Sequence, residues 1–584
     1  MEGIRERKAR PVSEHEQPPE DNVPSQHARA QTGWPVSRLL YTLVLLLSTV
    51  LYLFWKTNPG ALIRLIEPWY DLSEQLPGVS SPEYAFLGAD EVRRDAVVDA
   101  FKHAWFAYER DAMGDDEYHP LSHKGSNLTD AGGIGYTVVD SLDTMIIMGL
   151  DEEYRRARSW VDTKLTFEVD GIFNVFETTI RVLGGLLSAY HLTHDSLYID
   201  RAKDLADRLM VAFSTPSGLP VAMVNLGTRT PIPDTGNQNL VSTAEVATLQ
   251  LELRYLTELT DDDSYWRAAE KVMQVIRKAV PVPPLAAIYM DPQQGTFVTS
   301  PIRLGSRGDS YYEYLLKQYL QTGRVETGYR EMYDGAMDAI HEHLVQRTPH
   351  TNFLYTAELM PERTQTHQMQ WRLVPKQDHL VCFLGGSLML GATDGGHFSV
   401  PPRAEEFVGT ARRDWTTGYE LIKTCMETHR THTGLSPEIA HFRTKNDPQA
   451  IADLAPNDWY IKGSRQPTAA LDARYILRPE TVESLFIAFR LTGDSRYRDW
   501  GWQIFQSIEK HCKVPTGGYA GVTNVDIVPP ELEDKMETFM MSETLKYLYL
   551  LFSDSSILPL TENVFNTEAH PFPIIRPTGR TAFT

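Results

Sequence analysis

The sequence predicts an all-α fold: about seven helical hairpins closed into a toroid and preceded by one transmembrane helix. Three observations carry this. One helix–turn–helix junction recurs as Leu192-Thr-His-Asp-Ser-Leu-Tyr198, Leu259-Thr-Asp-Asp-Asp-Ser-Tyr265 and Leu491-Thr-Gly-Asp-Ser-Arg-Tyr497. Looser copies stand at Gly149-Leu-Asp-Glu-Glu-Tyr154 and at Gln321-Thr-Gly323 with Tyr329. Leu192 and Leu259 are 67 residues apart and Leu259 and Gln321 are 62, so one hairpin takes ~65 residues. Acidic motifs scattered from residue 140 to 568 would meet only if the hairpins closed into a ring.

The elements follow in order. Residues 1–38 are polar and rich in Pro and read as a disordered cytosolic tail. Residues 39–55 carry no charge and are bracketed by Arg38 and Lys56. Seventeen residues reach the short end of a bilayer span, and the long polar lead before them argues for an uncleaved anchor over a signal peptide. Residues 56–85, with Asn-Pro-Gly, Pro77-Gly78 and Ser80-Ser81-Pro82, read as a stem. Residues 86–577 contain no second linker and read as one catalytic domain, with a tail at 578–584. Within each hairpin the second helix opens on Asp or Ser as its N-cap and runs with apolar residues at i, i+3, i+4 and i+7.

Charge and composition exclude several functions. The 56 Lys and Arg against 77 Asp and Glu give a net charge of −21, which argues against nucleic acid as a partner. Three cysteines are too few for a disulfide scaffold or a cysteine zinc site. No nucleotide loop, HExxH or CxxC is present, and His341-Glu-His343 reads as a solvated helix face. Asn127-Leu-Thr129 is a glycosylation sequon, which points to a luminal domain.

Four segments set carboxylates beside Arg, Gly or Pro in apolar surroundings. They are Phe173 to Leu186 with Glu177 and Arg181, Leu304 to Glu313 with Arg307 and Asp309, Leu477 to Phe486 with Arg478, Glu480 and Glu483, and Phe539 to Glu543. Glu177 and Arg181, four apart, share one helix face. Pro479 suits a first helical turn, which puts Glu480 and Glu483 at a helix N-terminus. A single Glu–Arg pair of this kind is ordinarily a surface ion pair. Four sites in apolar contexts are not, because burying a carboxylate is costly unless it is paired or used. Paired carboxylates without a nucleophile motif point to glycoside hydrolysis.

These segments resemble glycoside hydrolase family 47, the class I α-1,2-mannosidases. The resemblance runs from about Asp95 to Pro573, and its strings include Ser141-Leu-Asp-Thr144, Asp309-Ser-Tyr-Tyr-Glu-Tyr-Leu-Leu-Lys317, Leu477-Arg-Pro-Glu-Thr-Val-Glu-Ser-Leu485 and Phe565-Asn-Thr-Glu-Ala-His-Pro571. It implies an (αα)7 barrel and calcium-dependent hydrolysis with inversion. It implies catalytic roles for Glu177, Asp309 and Glu480, with Glu480 as base and either Glu177 or Asp309 as acid. Thr567 matches the calcium ligand. Arg181, Arg307, His379, Arg478, Glu483, Phe539, Glu543, Glu568 and Asp143 match substrate-pocket positions. Cys382 and Cys425 match the family disulfide, which leaves Cys512 free.

Arg307 matches a position that tends to be Arg in members that remove a single mannose from the nine-mannose glycan. The implied protein is a monomer of the endoplasmic reticulum or Golgi membrane, single-pass type II, acting on high-mannose N-glycans. The competing expectations are a weakly catalytic mannose-binding relative that delivers misfolded glycoproteins for degradation, and an open helical scaffold. Two departures from the family pattern, Leu384-Gly-Gly-Ser387 and Met540-Met-Ser542, are expected to alter pocket fit.

Overall fold

A computed structural model of the chain describes residues 88–577, apart from 367, 395–401, 403–405, 448–457 and 467–469, together with 582 and 583. The expected cytosolic tail, anchor and stem all lie outside the described residues. Among the described residues no helix is long and apolar enough to cross a membrane.

The helices pair as inner and outer partners. Inner helices are apolar nearly all round: every residue of Glu480–Thr492 is buried, and so is every residue of Asp309–Gln321 after the first. Outer helices bury one stripe, as Asp263–Ala279 does through Tyr265, Ala269, Val272, Met273 and Ile276. The predicted N-caps are in place. Asp195, Asp262 and Asp494 each accept a backbone N–H at the start of Ser196–Leu209, Asp263–Ala279 and Ser495–His511.

Among the described residues seven such pairs close a ring. The closing pair joins the first and last long helices of the described residues: the helix Glu91–Ala112 is the outer partner of the last inner helix, Leu545–Phe552. The seam is bonded as well as packed. Asp90 donates its N–H to the Phe552 carbonyl at 2.8 Å, and Arg498 donates to the carbonyls of Gly88, Leu551 and Ser553.

All-α needs correcting to predominantly helical. Short antiparallel strands fill the connections, as in Ile172–Asn174, Met223–Asn225 and Thr230–Ile232. Runs of two to six residues between long helices carry too little alternation to read as strands. One hairpin matters most. Strands Asn563–Phe565 and Pro571–Pro573 carry the turn 566–570 among the inner helices. Phe565 packs on Phe486 and Tyr547, and Asn566 Nδ2 donates to the Ile180 carbonyl at 2.9 Å.

Gly385 and Gly386 belong to packing and not to the pocket. A Cβ on Gly385 would lie 2.7 Å from Ile422, and one on Gly418 would lie 2.6 Å from the Gly385 carbonyl. The helices Phe383–Ala392 and Gly409–Thr428 approach closely only because both positions lack a side chain. The Cys382–Cys425 disulfide ties the same two helices, and Cys512 is free and buried.

Ala582 and Phe583 are docked. Phe583 packs against Tyr329 at 5.0 Å between ring centres and under Arg277 at 4.3 Å. The N–H groups of Ala582 and Phe583 donate to Glu326 and Glu270 at 2.9 and 2.7 Å.

Candidate active site

Six inner helices begin at one cavity of about 310 Å³. Glu177 lies at the start of the helical run 175–193, Glu245 in the first turn of Thr243–Val246, and Asp309 at the first position of its helix. Phe383, Glu480 and Glu543 open three more. The partial positive charge of each N-terminus faces inward, so the cavity tolerates carboxylates that a generic core would not. Two of these runs contain π-helical turns, Thr178–Leu183 and Met540–Thr544, which place Arg181 and Glu543. The turn 566–570 contributes Thr567 and Glu568.

The charged groups are interlocked. Arg181 Nε donates to Glu177 at 2.8 Å, and Arg181 also bonds Glu568 and, at 3.0 Å, Thr538. Arg478 pairs with Glu438 at 2.8 Å and stands 3.4 Å from Glu480. Lys317 bonds Glu313, which accepts from the Thr567 hydroxyl at 2.8 Å. Phe539 lies under both Arg181 and Arg478, at 5.7 and 5.9 Å.

Burial pushes the Asp309 and Glu480 carboxyls up to about 7, and Glu483 up to about 8. The Glu177 side chain differs, being 41% exposed. Glu480 Oε2 is buried with no hydrogen-bond partner among the described residues. The charge of Glu480 adds a smaller upward push on the Asp309 carboxyl, so the two carboxyls stand within electrostatic reach of one another.

A family model for glycosyl hydrolase family 47 matches residues 100–574. The chain belongs to glycosyl hydrolase family 47. It is therefore a glycoside hydrolase. It is 46% identical over 503 residues to the endoplasmic reticulum mannosyl-oligosaccharide 1,2-alpha-mannosidase of Schizosaccharomyces pombe, covering 85% of this chain and 92% of that protein. It is 43% identical over 490 residues to the Homo sapiens protein of the same description, covering 83% and 64%. The solved alpha-1,2-mannosidase from Trichoderma reesei superposes with a TM-score of 0.72 at 28% identity, over 84% of this chain and all of that one.

Of the site residues expected from this family, Glu177, Asp309, Glu480, Thr567, Arg181, Arg307, Arg478, Glu483, Phe539, Glu543 and Glu568 line the one cavity. Asp143 and His379 do not. Asp143 is fully buried and bonds Ser188, Lys546 and His570. A carboxylate in the first inner helix with a lysine partner has no route to the wall. His379 stands behind Glu480, 4.0 Å from it, and bonds Thr481 at 3.0 Å. Asn127 is exposed, as a sequon needs.

The sequence reading passed over four contributors. Glu245 and Glu313 line the cavity, Glu438 holds Arg478, and Tyr289 carries the Arg307 guanidinium at 5.4 Å. Glu313 stood inside the family string 309–317 and only its role went unread. Glu245 and Tyr289 have no local signal. Among the described residues no three His, Cys, Asp or Glu side chains are grouped to ligate a metal.

Proposed function

We propose that this family 47 hydrolase is a calcium-dependent, inverting exo-α-1,2-mannosidase that trims the nine-mannose N-glycan to one eight-mannose isomer. The observation that carries the reading is the convergence of Glu177, Asp309 and Glu480 from three hairpins into one cavity, two of them with carboxyls near 7. The 1,2-alpha-mannosidase descriptions of the relatives supply the linkage.

Glu480 is the base. Its unpartnered Oε2 offers a lone pair to a water, and Arg478 favours its ionised form. Asp309 and Glu177 are the two candidates for proton donor. Asp309 is the one whose burial keeps a proton near neutral pH, whereas Glu177 is held by Arg181. The mannose ring would stack on Phe539, which the two arginines hold in place.

The lining fits a calcium ion held by Thr567 and by waters. Thr567 would supply a hydroxyl and a carbonyl, and carboxylates of the same cavity such as Glu543 and Glu568 would hold the waters that complete the shell. All are hard oxygen donors in a wall richer in carboxylates than in arginines, and no soft ligand is among them. Bound there, the ion would polarise sugar hydroxyls and water.

Arg307 sets branch choice in this reading. It sits at the cavity with φ +73°, a conformation unusual for a residue with a side chain, and its guanidinium is propped on Tyr289. A long planar donor fork bridges several hydroxyls of one branch and obstructs others. The endoplasmic reticulum descriptions of the relatives support placement there, anchored through residues 39–55 with residues 86–577 in the lumen as the catalytic domain.

The deciding experiment incubates the protein with the nine-mannose glycan, with calcium or with chelator, and resolves products by isomer. One eight-mannose isomer, lost on chelation, is the expected result. No release of mannose by folded, calcium-loaded protein would overturn the reading.

A further inference from the structure

The turn 566–570 is held by residues the cavity does not contain. Among the described residues Thr567 itself bonds only at its hydroxyl, to Glu313, and at its N–H, to the Tyr314 hydroxyl at 3.3 Å. The restraint lies on either side. Asn566 Oδ1 accepts the N–H groups of Glu568 and His570 at 2.9 and 2.8 Å, and Asn566 Nδ2 donates to Glu252 at 2.8 Å. Ala569 takes a left-handed φ of +59°, and its carbonyl accepts from Lys546 Nζ at 2.8 Å.

His570 is the centre of this arrangement. Its Nδ1 is 2.8 Å from Asp143 Oδ2, and its Nε2 is 3.1 Å from Asp140 Oδ1. An ionised carboxylate only accepts, so both ring nitrogens carry hydrogen and the imidazole is a cation. Lys546 donates to the same Asp143 oxygen at 2.9 Å. Two anions and two cations thus form a neutral set, and all four side chains have no exposure. Asp140 and Asp143 come from the first inner helices and Lys546 from the last, so the set spans the seam where the ring closes. Arg181 stands 3.7 Å from Asp140 and links it to the cavity.

We propose that His570, clamped between Asp140 and Asp143, is a positioning residue that fixes the 566–570 turn so that Thr567 presents its hydroxyl and carbonyl as preformed calcium ligands. The inference rests on the calcium reading of Thr567. Its physical basis is that a ligand on a turn keeps its geometry only if the backbone on both sides is pinned, and this backbone is pinned through buried charges that cannot swing to water. Partners of this indirect kind are typically worth ~10–100-fold in metal affinity.

The test has two arms on the full chain. In the first, hydrogen exchange is followed on the unaltered, metal-free protein. The amides of Glu568 and His570 should exchange as slowly as those of the helix Asp309–Gln321; exchange at loop rates would overturn the clamp. In the second, calcium binding is titrated calorimetrically for the unaltered protein, His570→Gln and Asp140→Asn. Each variant should bind ~10–100-fold more weakly and exchange the turn amides faster, while the amides of Ser196–Leu209 stay protected. A variant that melts earlier but binds calcium normally would make the set merely structural and refute the positioning role. If His570→Gln does not fold, Asp140→Asn and the unaltered protein decide. A Thr567→Ala protein that binds calcium normally would refute the metal reading alone, since the exchange arm still judges the clamp.

Discussion

Arg478 grips Glu438 with two nitrogens, Nε at 2.8 Å and Nη2 at 3.0 Å, and leaves Nη1 3.4 Å from Glu480. The Glu480 carboxyl, raised to about 7 chiefly by burial, is drawn down by Arg478 and pushed up by Glu438. A general base acts only when ionised, so turnover falls as pH drops through that value. Glu438→Gln removes an upward push and should move the acidic limb of the kcat profile to lower pH, by ~1 unit at most. Arg478→Met should move it higher. A limb unmoved in both would remove Glu480 from the role of base.

The donor is separable from the base by leaving group. Asp309→Asn and Glu480→Gln should each lower kcat on the glycan by ~10²–10⁴-fold. α-Mannosyl fluoride needs little protonation to depart, so it should restore turnover in Asp309→Asn and not in Glu480→Gln. Recovery in Glu177→Gln and not in Asp309→Asn would transfer the donor role to Glu177.

Branch choice should depend on Arg307. Arg307→Leu keeps a side chain of similar reach and loses the donor fork propped on Tyr289. Product mapping should show trimming past eight mannoses. A single unchanged isomer would mean that another part of the cavity selects the branch.

Stability of the metal-free protein should fall as pH rises. Asp309, Glu480 and Glu252 are all raised to about 7 by burial. Their unfolded values are near 4, so the folded state binds more protons between ~4 and ~7. The stability present below the unfolded values is therefore lost progressively as pH climbs through that window, by up to ~1.4 kcal/mol per unit for each carboxyl. Urea titrations at pH 5 and pH 7 measure this. Equal midpoints would show that these groups ionise freely in the folded chain.

The tail should matter to stability and not to catalysis. Removing residues 578–584 takes the N–H partners from Glu326 and Glu270 and uncovers Tyr329. Glu326 keeps Arg254 and Glu270 keeps Tyr329 and Gln274, so each lost N–H bond costs only the net ~0.5–1.5 kcal/mol. Thermal melts should drop by several degrees while KM for the glycan holds. An unchanged melt would mean that the docking is not stabilising in solution.

The repeats were legible because local chemistry repeats: Asp195, Asp262 and Asp494 cap equivalent helices. The ion pair of Glu177 with Arg181 followed from spacing, even across a π-helical turn. Glu245 and Tyr289 were not legible, because they meet Arg307 only through tertiary placement and lack a neighbouring signal. Asp143 was misplaced for a related reason. The string around it matches the family, but a string cannot say whether a carboxylate faces a ligand or, like Asp143, holds another segment. The strands were missed because two to six residues leave little period to detect.

Closing the ring through its two ends has a consequence for biosynthesis. The helix Glu91–Ala112 leaves the ribosome more than 400 residues ahead of Leu545–Phe552, the helix that covers it. At ~5–20 residues per second, its apolar stripe waits tens of seconds for a partner. The turn bearing Thr567 emerges later still. Early hairpins can pair with their neighbours as they appear, but the seam cannot be completed before residue 552 is made, nor the cavity before residue 568. Nascent chains stalled before residue 545 should therefore be caught by chaperones through that one uncovered helix.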